Sequence, residues 1–454
     1  MTGKTFSYNL RRGLGSAIIE LKENPNRSQY CDIVLRYCLR DIAYNTQVEG
    51  TKGHYLYTAI KAFENPELFL SKIAEKFEGR HYWRLSEQLY DMLCCFSCDG
   101  YKMADEALEK KYSDLKKRLP LMRNYSLDLC EREQLEDLMI RKLDGGFKSF
   151  KQCIYDIGEM ITKRGNCDCL WCDSFFAHAK EKFGEKRVND FIVELYEESE
   201  AIKLLVDTLK EEELSRKEYQ SNLLAETPSV DVLLQYAREA ARNENPRSQM
   251  ARLRHLLAKK ASDAEFLELA HTVLCEDDET VKALLLMMFW RRPFPLDITP
   301  LIEYAKSKNE LLSEIAIDKL SYVKDKRIHD LAIILLEEKG FGSLALGLLI
   351  KNYQKTDNDI IRKLTAKASS VPQHVQGDIV DIYKHHRSAN ALPILLHVYQ
   401  KGYCTHCRYG IVQAMNHCKV LSDEIIEECL YDSYEDTRKM AKRIKSQREH
   451  QKII

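Results

Sequence analysis

No stretch of this chain stays apolar long enough to cross a membrane. The longest candidate, Ala283 to Trp290, stops at Arg291 and Arg292, well short of the roughly 20 residues a spanning helix needs. The opening residues, MTGKTFSYNLRRGLG, lack the apolar core and small-residue cleavage site of a secretory leader. Proline and glycine are sparse, at 10 and 18 in 454 residues, which excludes a chain built on long loops or low-complexity linkers. Neither sign of charge dominates. The 69 Lys and Arg stand against 70 Asp and Glu, which excludes an acidic arm or a basic nucleic-acid tail and leaves room only for a local stripe. GxSxG, HExxH and a Walker-type glycine loop are all missing. GLGSA at 13–17 has no strand before it, so it reads as a helix start rather than a phosphate loop. These absences point to a cytoplasmic protein with no membrane association, no cofactor and no enzymatic activity.

What is present is helical periodicity. Apolar residues recur at three- and four-residue spacing almost everywhere, and strand alternation almost nowhere. The spacing predicts helices over 27–45, 66–78, 82–97, 102–118, 128–142, 147–163, 168–182, 185–197 and 199–224. Pro66, Pro120, Gly145-Gly146, Gly165 and Pro228 fall at the breaks. From Thr227 the pattern becomes regular. TPSVDVLLQYAREAAR opens with a capping residue and a first-turn proline. Later starts fall near Asp325, Asp357, Ser388 and Leu421, at intervals of 32, 31 and 33 residues. Each interval holds two helices, and a fixed period in the range of roughly 20–50 residues marks a solenoid.

Two segments match in detail. LCEDDETVKALL begins at Leu274 and LYDSYEDTRKMA at Leu430, 156 residues later, or five repeats of about 31. Each sets an acid two residues after the Leu (Glu276, Asp432) and a base eight after it (Lys282, Arg438). Over about 228–448 this resembles the HEAT-repeat, armadillo-type solenoid proteins. The resemblance implies an all-α superhelix of paired helices, with Glu276–Lys282 and Asp432–Arg438 as rungs of an inter-repeat ladder. The sequence thus divides into an N-terminal helical region, 1–226, of degenerate repeats or a cap, and a repeat region, 227–454. A solenoid groove suits a protein partner, so the chain reads as a scaffold or adaptor.

The candidate contact residues lie in YNTQVEGTKGHYLY at 44–57. Turn chemistry accounts for Asn45, one Thr and the glycines. It does not require Gln47, Glu49 or His54 beside Tyr55 and Tyr57, which together compose a recognition patch. The alternative reading is a basic groove for nucleic acid, built from Arg252, Arg291, Arg292, Lys326, Arg327 and Arg387 near helix ends. HEAT-like DNA glycosylases use a solenoid in this way, with Trp290 and Tyr383 then available for stacking on bases. Cations at helix C-termini also complement the helix dipole without any ligand.

Fifteen cysteines in a reducing compartment read as thiols or metal ligands. Of three CxxC pairs, Cys95/Cys98 and Cys169/Cys172 compose a candidate zinc site, and Cys404/Cys407 is the third. Two thiols on one helical face also serve as small hydrophobes, and that reading needs no metal. MMFWRRPFPLDITP at 287–300 reads as a loop whose Phe294 plugs the core, and His385-His386 as solvated surface histidines.

Overall fold

A computed structural model describes residues 1–453, apart from 45, 80, 122–124, 165–172, 211–227, 244–245, 291, 341–343 and 368–370. Every regular element among them is helical, and none of the helices is long and apolar enough to cross a membrane. The chain divides into two compact units. Unit 1 is Met1–Ser221 with Glu428–Arg438, and unit 2 is Asn222–Glu427 with Lys439–Ile454.

Unit 1 contains α1 (Gly3–Arg11), α2 (Gly15–Glu23), α3 (Cys31–Cys38), α4 (Thr46–Glu49), α5 (Gly53–Ile60), α6 (Glu67–Glu78), α7 (Trp83–Cys98), α8 (Lys102–Arg118), α9 (Tyr125–Lys142), α10 (Phe147–Arg164), α11 (Asp173–Phe183) and α12 (Glu185–Glu198). Helix α8 shows why these segments fold as they do. It buries Ala104, Ala107, Leu108, Lys111, Tyr112 and Leu115, at the three- and four-residue spacing of one helical face. That face packs on α6, α7 and α9. Each fully buried Leu contributes about 1.5–3 kcal/mol.

The expected helix over 27–45 is shorter than its periodicity. A 3-10 turn, Arg27–Tyr30, leads into α3, which stops at Cys38. Buried Gln88, from α7, donates its Nε2 to the carbonyls of Tyr37, Cys38 and Arg40 at 2.8–3.2 Å. Those carbonyls are the ones a helix end leaves without partners. Asp41 then accepts from the Ala43 amide and turns the chain.

The turn between α1 and α2 does more than start a helix. Residues 428–433 of the same unit lie against it. The Ser433 amide donates to the Gly13 carbonyl at 2.9 Å, and the Ser16 amide donates to Glu428 Oε1 at 3.3 Å. Gly13 has φ of 70°, a left-handed conformation that favours glycine. A Cβ on Gly15 would lie 1.8 Å from the Glu428 carbonyl oxygen. GLG is therefore a surface on which a second stretch of backbone rests.

Unit 2 contains α13 (Val230–Ala240), α14 (Pro246–Lys260), α15 (Asp263–Cys275), α16 (Glu279–Leu286), α17 (Thr299–Tyr304), α18 (Glu310–Leu320), α19 (Lys326–Lys339), α20 (Leu349–Asn352), α21 (Asp357–Lys367), α22 (Gln373–His385), α23 (Leu392–Lys401), α24 (Thr405–His417), α25 (Asp423–Cys429) and α26 (Glu435–Ile453), the last two passing into the 428–438 stretch. The cap of α13 is Ser229, which accepts from the Val232 amide; Thr227 lies outside the described residues. Asp325 caps α19, Asp357 opens α21 and Ser388 precedes the turn into α23. Side chains bridge neighbours at a near-constant interval. Lys319 Nζ donates to the Phe289 carbonyl 30 residues back, and Lys351 Nζ and Asn352 Nδ2 donate to the Tyr322 and Val323 carbonyls 29 residues back. His329 pairs with Asp357 28 residues on. Such bonds are compatible with a helical repeat of about 30 residues. The expected rungs differ. Glu276 pairs with Arg238 at 3.0 Å and accepts from the Asp277 and Asp278 amides, while Lys282 lies over the Tyr304 ring. Arg438 donates to the backbone carbonyls of Asp432 and Ser433, not to the Asp432 carboxylate. In both places the acid satisfies amides of its own turn, so it is not free for the base.

Candidate functional site

The stretch at 44–57 is largely internal. Glu49 is buried, accepts from the Tyr44 amide and lies 3.9 Å from Lys52 Nζ. Lys52 in turn donates to the carbonyls of Arg11 and Ile42, a cation placed on unsatisfied carbonyls. Tyr55 is buried and donates its hydroxyl to the Leu14 carbonyl at 2.7 Å. Tyr57 is buried too and donates to Asp99 Oδ2 at 2.7 Å. A surface patch made of Glu49, Tyr55 and Tyr57 is therefore corrected, because their polar atoms bind within the unit. The side chain of Gln47 lies outside the described residues. His54 is exposed, and it lines a cavity.

That cavity, of about 440 Å³, belongs to unit 1. Its walls carry His54, Tyr57 and Thr58 from α5 and Tyr431, Glu435 and Arg438 from the 428–438 stretch. His54 Nδ1 is 3.0 Å from the Cys95 Sγ. Burial, then Asp91, push the Cys95 thiol up to about 12. The sulfur thus keeps its proton, and the contact occupies His54 Nδ1 and leaves Nε2 to other partners. A thiol held in this state is a poor nucleophile. Gly53 permits the contact, since a Cβ there would lie 2.3 Å from Asp91 Cβ. On the opposite wall the Arg438 Nη1 donates to two carbonyls at 2.7 and 2.8 Å. No carboxylate pairs with this guanidinium among the described residues.

Among the described residues the cysteines do not converge. Cys95 turns to His54, whereas Cys98 faces the Arg141 guanidinium. Cys169 and Cys172 lie outside the described residues. Cys404 caps α24, its sulfur accepting from the Cys407 amide. No group of three or more His, Cys, Asp or Glu among the described residues is placed to hold a metal ion.

Of the four basic candidates in unit 2 whose side chains are described, three are engaged. Arg292 pairs with Asp263 at 2.9 Å and covers the Phe266 ring. Arg327 pairs with Asp325 at 2.8 Å and Asp297 at 3.5 Å. Arg387 donates to His417 at 3.2 Å, and Lys326 is exposed. Arg291 and the side chain of Arg252 lie outside the described residues. Tyr383 is fully buried and bonded to Asn358, so it is unavailable for stacking. Trp290 meets His255 edge-to-face and lies under the Arg254 guanidinium of its own unit. Phe294 is buried against Phe289, in the core position its sequence implies. His386 is half-buried and bonded to the Ile350 carbonyl, unlike a solvated histidine.

The feature of unit 2 that periodicity did not single out is a groove of about 470 Å³. His374, Asp378, Asp381 and His385 follow one another at spacings of four, three and four along α22, so they share one face. Glu314 and Asp318 of α18 face the same space, with Lys351 between. Glu314 pairs with Arg247, and Asp318 with Lys319. The Asp378 and Asp381 carboxylates have no partner among the described residues. Burial, then Asp381, push the Asp378 carboxyl up to about 7. Leu344, on the rim, holds a left-handed φ of 56°, an arrangement that costs on the order of 1–2 kcal/mol for a residue with a branched side chain.

Comparison with protein-family models, with curated proteins and with solved structures finds no match.

Proposed function

We propose that the chain is a HEAT-like α-solenoid over about 228–448 that acts inside the cell as an interaction scaffold, not as an enzyme. The groove of unit 2 holds a lysine- or arginine-bearing segment of a protein partner. The observation that supports this most is the pair of carboxylates, Asp378 and Asp381, facing a groove with no cation bound to them among the described residues. Complementary charge across such a surface sets partner choice and encounter rate. A polyanion is repelled there, and most basic side chains described above are already engaged by the chain itself.

The test is affinity capture by the full chain from native extract, with and without nuclease, beside the double variant Asp378→Lys/Asp381→Lys. A protein retained after nuclease and lost from the double variant is the expected result. Retention that nuclease abolishes, or binding to heparin that collapses in modest salt, overturns the reading in favour of nucleic acid.

A further inference from the structure

The groove of unit 2 carries its own regulator, an inference that rests on its reading as the seat of a cationic segment. We propose that the groove is a proton-gated site. Mild acidification charges His374 and His385, and these imidazolium groups take the place of the partner's cations beside Asp378 and Asp381.

The placement of the four side chains carries this. His374 and Asp378 are four residues apart on α22, and so are Asp381 and His385. Residues so spaced are neighbours on a helix surface, roughly 5–6 Å apart at Cβ. Each carboxylate therefore has a titratable base one turn away, and all four residues line the groove. Histidine is the side chain whose charge ordinarily changes between about pH 5 and 8. The two ends are not equivalent. His385 is the last residue of α22 and follows its acid, so the helix dipole and the acid-before-base order both favour a cation there. His374 stands in the first turn and precedes its acid, where the dipole opposes a cation and the order is the weaker one. His385 Nδ1 is 2.9 Å from the Asp381 carbonyl oxygen. A carbonyl only accepts, so Nδ1 carries the hydrogen of the neutral ring and Nε2 receives the second proton.

The other charged groups around this face do not reverse the effect. Glu314 and Asp318 of α18 are paired with Arg247 and Lys319, and Lys351 of α20 donates to the Tyr322 carbonyl. Helix α24 packs on the face that carries Val380, where a Cβ on Gly410 would lie 3.4 Å from Val380 Cγ1, and it supplies none of the described lining residues. Acidification also neutralises Asp378, whose carboxyl burial, then Asp381, push up to about 7. Proton uptake by the histidines and by Asp378 removes negative charge from the same face, so each weakens a bound cation.

Calorimetric titration of the full chain with an octalysine peptide at about pH 8 and about pH 6 tests the proposal, because lysine stays charged throughout. Affinity is expected to fall about ten-fold or more from the higher pH to the lower. His385→Gln should bind as the wild type does at pH 8 and shrink that fall by about three-fold or more, and His374→Gln should shrink it by less. Equal affinity at the two pH values overturns the gate and leaves the cationic reading of the groove standing. A fall retained in full by both histidine variants also overturns it, since Asp378 alone then accounts for the loss. No saturable binding at pH 8 overturns the gate together with the reading on which it rests.

Discussion

Gly15→Ala is expected to destabilise the full chain by about 3 kcal/mol or more, although alanine is the better helix former by about 1 kcal/mol. Gly15 is the first residue of α2, and a Cβ there would meet the Glu428 carbonyl oxygen at 1.8 Å and its carbon at 2.8 Å. Both atoms are backbone, so no side-chain rotation relieves the overlap. Either 428–431 moves away, losing the Ser433–Gly13 and Ser16–Glu428 hydrogen bonds, or α2 shifts from its buried Ala17, Ile18 and Leu21. Overpacking of this kind costs about 1–3 kcal/mol even where neighbours can adjust. Gly377→Ala is the control. Gly377 lies within α22 with open space where its Cβ would be, and alanine there should stabilise by about 0.5–1 kcal/mol. Urea unfolding followed by circular dichroism gives both signs. A neutral or stabilising Gly15→Ala would mean that 428–431 does not rest on the GLG turn.

That contact also shows where sequence reading stops. Helix positions were legible because 3.6-residue periodicity and capping are local. Expected segments at 66–78 and 102–118 correspond to Glu67–Glu78 and Lys102–Arg118, and Asp325, Asp357 and Ser388 stand at helix or turn starts. What escaped depends on partners far along the chain. Nothing near Cys38 announces that Gln88 will take three carbonyls and end α3. GLG reads as a weak helix start until 428–433 lies on it. In the stretch at 44–57 the residue types show that polar groups are present, but not what they bind. Their directions were not legible, since Glu49 points inward and the Tyr55 and Tyr57 hydroxyls bind within the unit, while His54 is exposed beside a cavity that both rings also line. The stripe of His374, Asp378, Asp381 and His385 had the spacing of one helical face and was open to notice. Its meaning needed Glu314 and Asp318, about 60 residues earlier, on the facing helix.

That stripe makes the second large prediction. The carboxyl of Asp378 stands at about 7 against an ordinary 3.8, because burial and Asp381 disfavour its charge. A folded-state value above the unfolded one means that the folded chain binds this proton more tightly. The associated stability is therefore full below about pH 4, falls as pH rises, and is lost above about pH 7. The difference converts to about 4 kcal/mol at most, and partial exposure to solvent brings the expected loss nearer 2 kcal/mol. Asp378→Asn carries no such proton. It should match the wild type near pH 4 and exceed it by about 2 kcal/mol at pH 8. Comparing the two chains matters because Glu87, at about 7, and Asp137, at about 6, add slopes of the same sign from unit 1. Only the difference profile isolates Asp378 from those groups and from His374, Asp381 and His385 beside it. Urea unfolding across pH 4–8 measures it, and parallel profiles for the two chains would sink the prediction. A carboxylate that weakens the fold at neutral pH is a cost that a bound cation would remove. A lysine-rich peptide seated in the groove should therefore flatten the wild-type profile and leave that of Asp378→Asn nearly unchanged, because the cation stabilises the charged form that burial opposes.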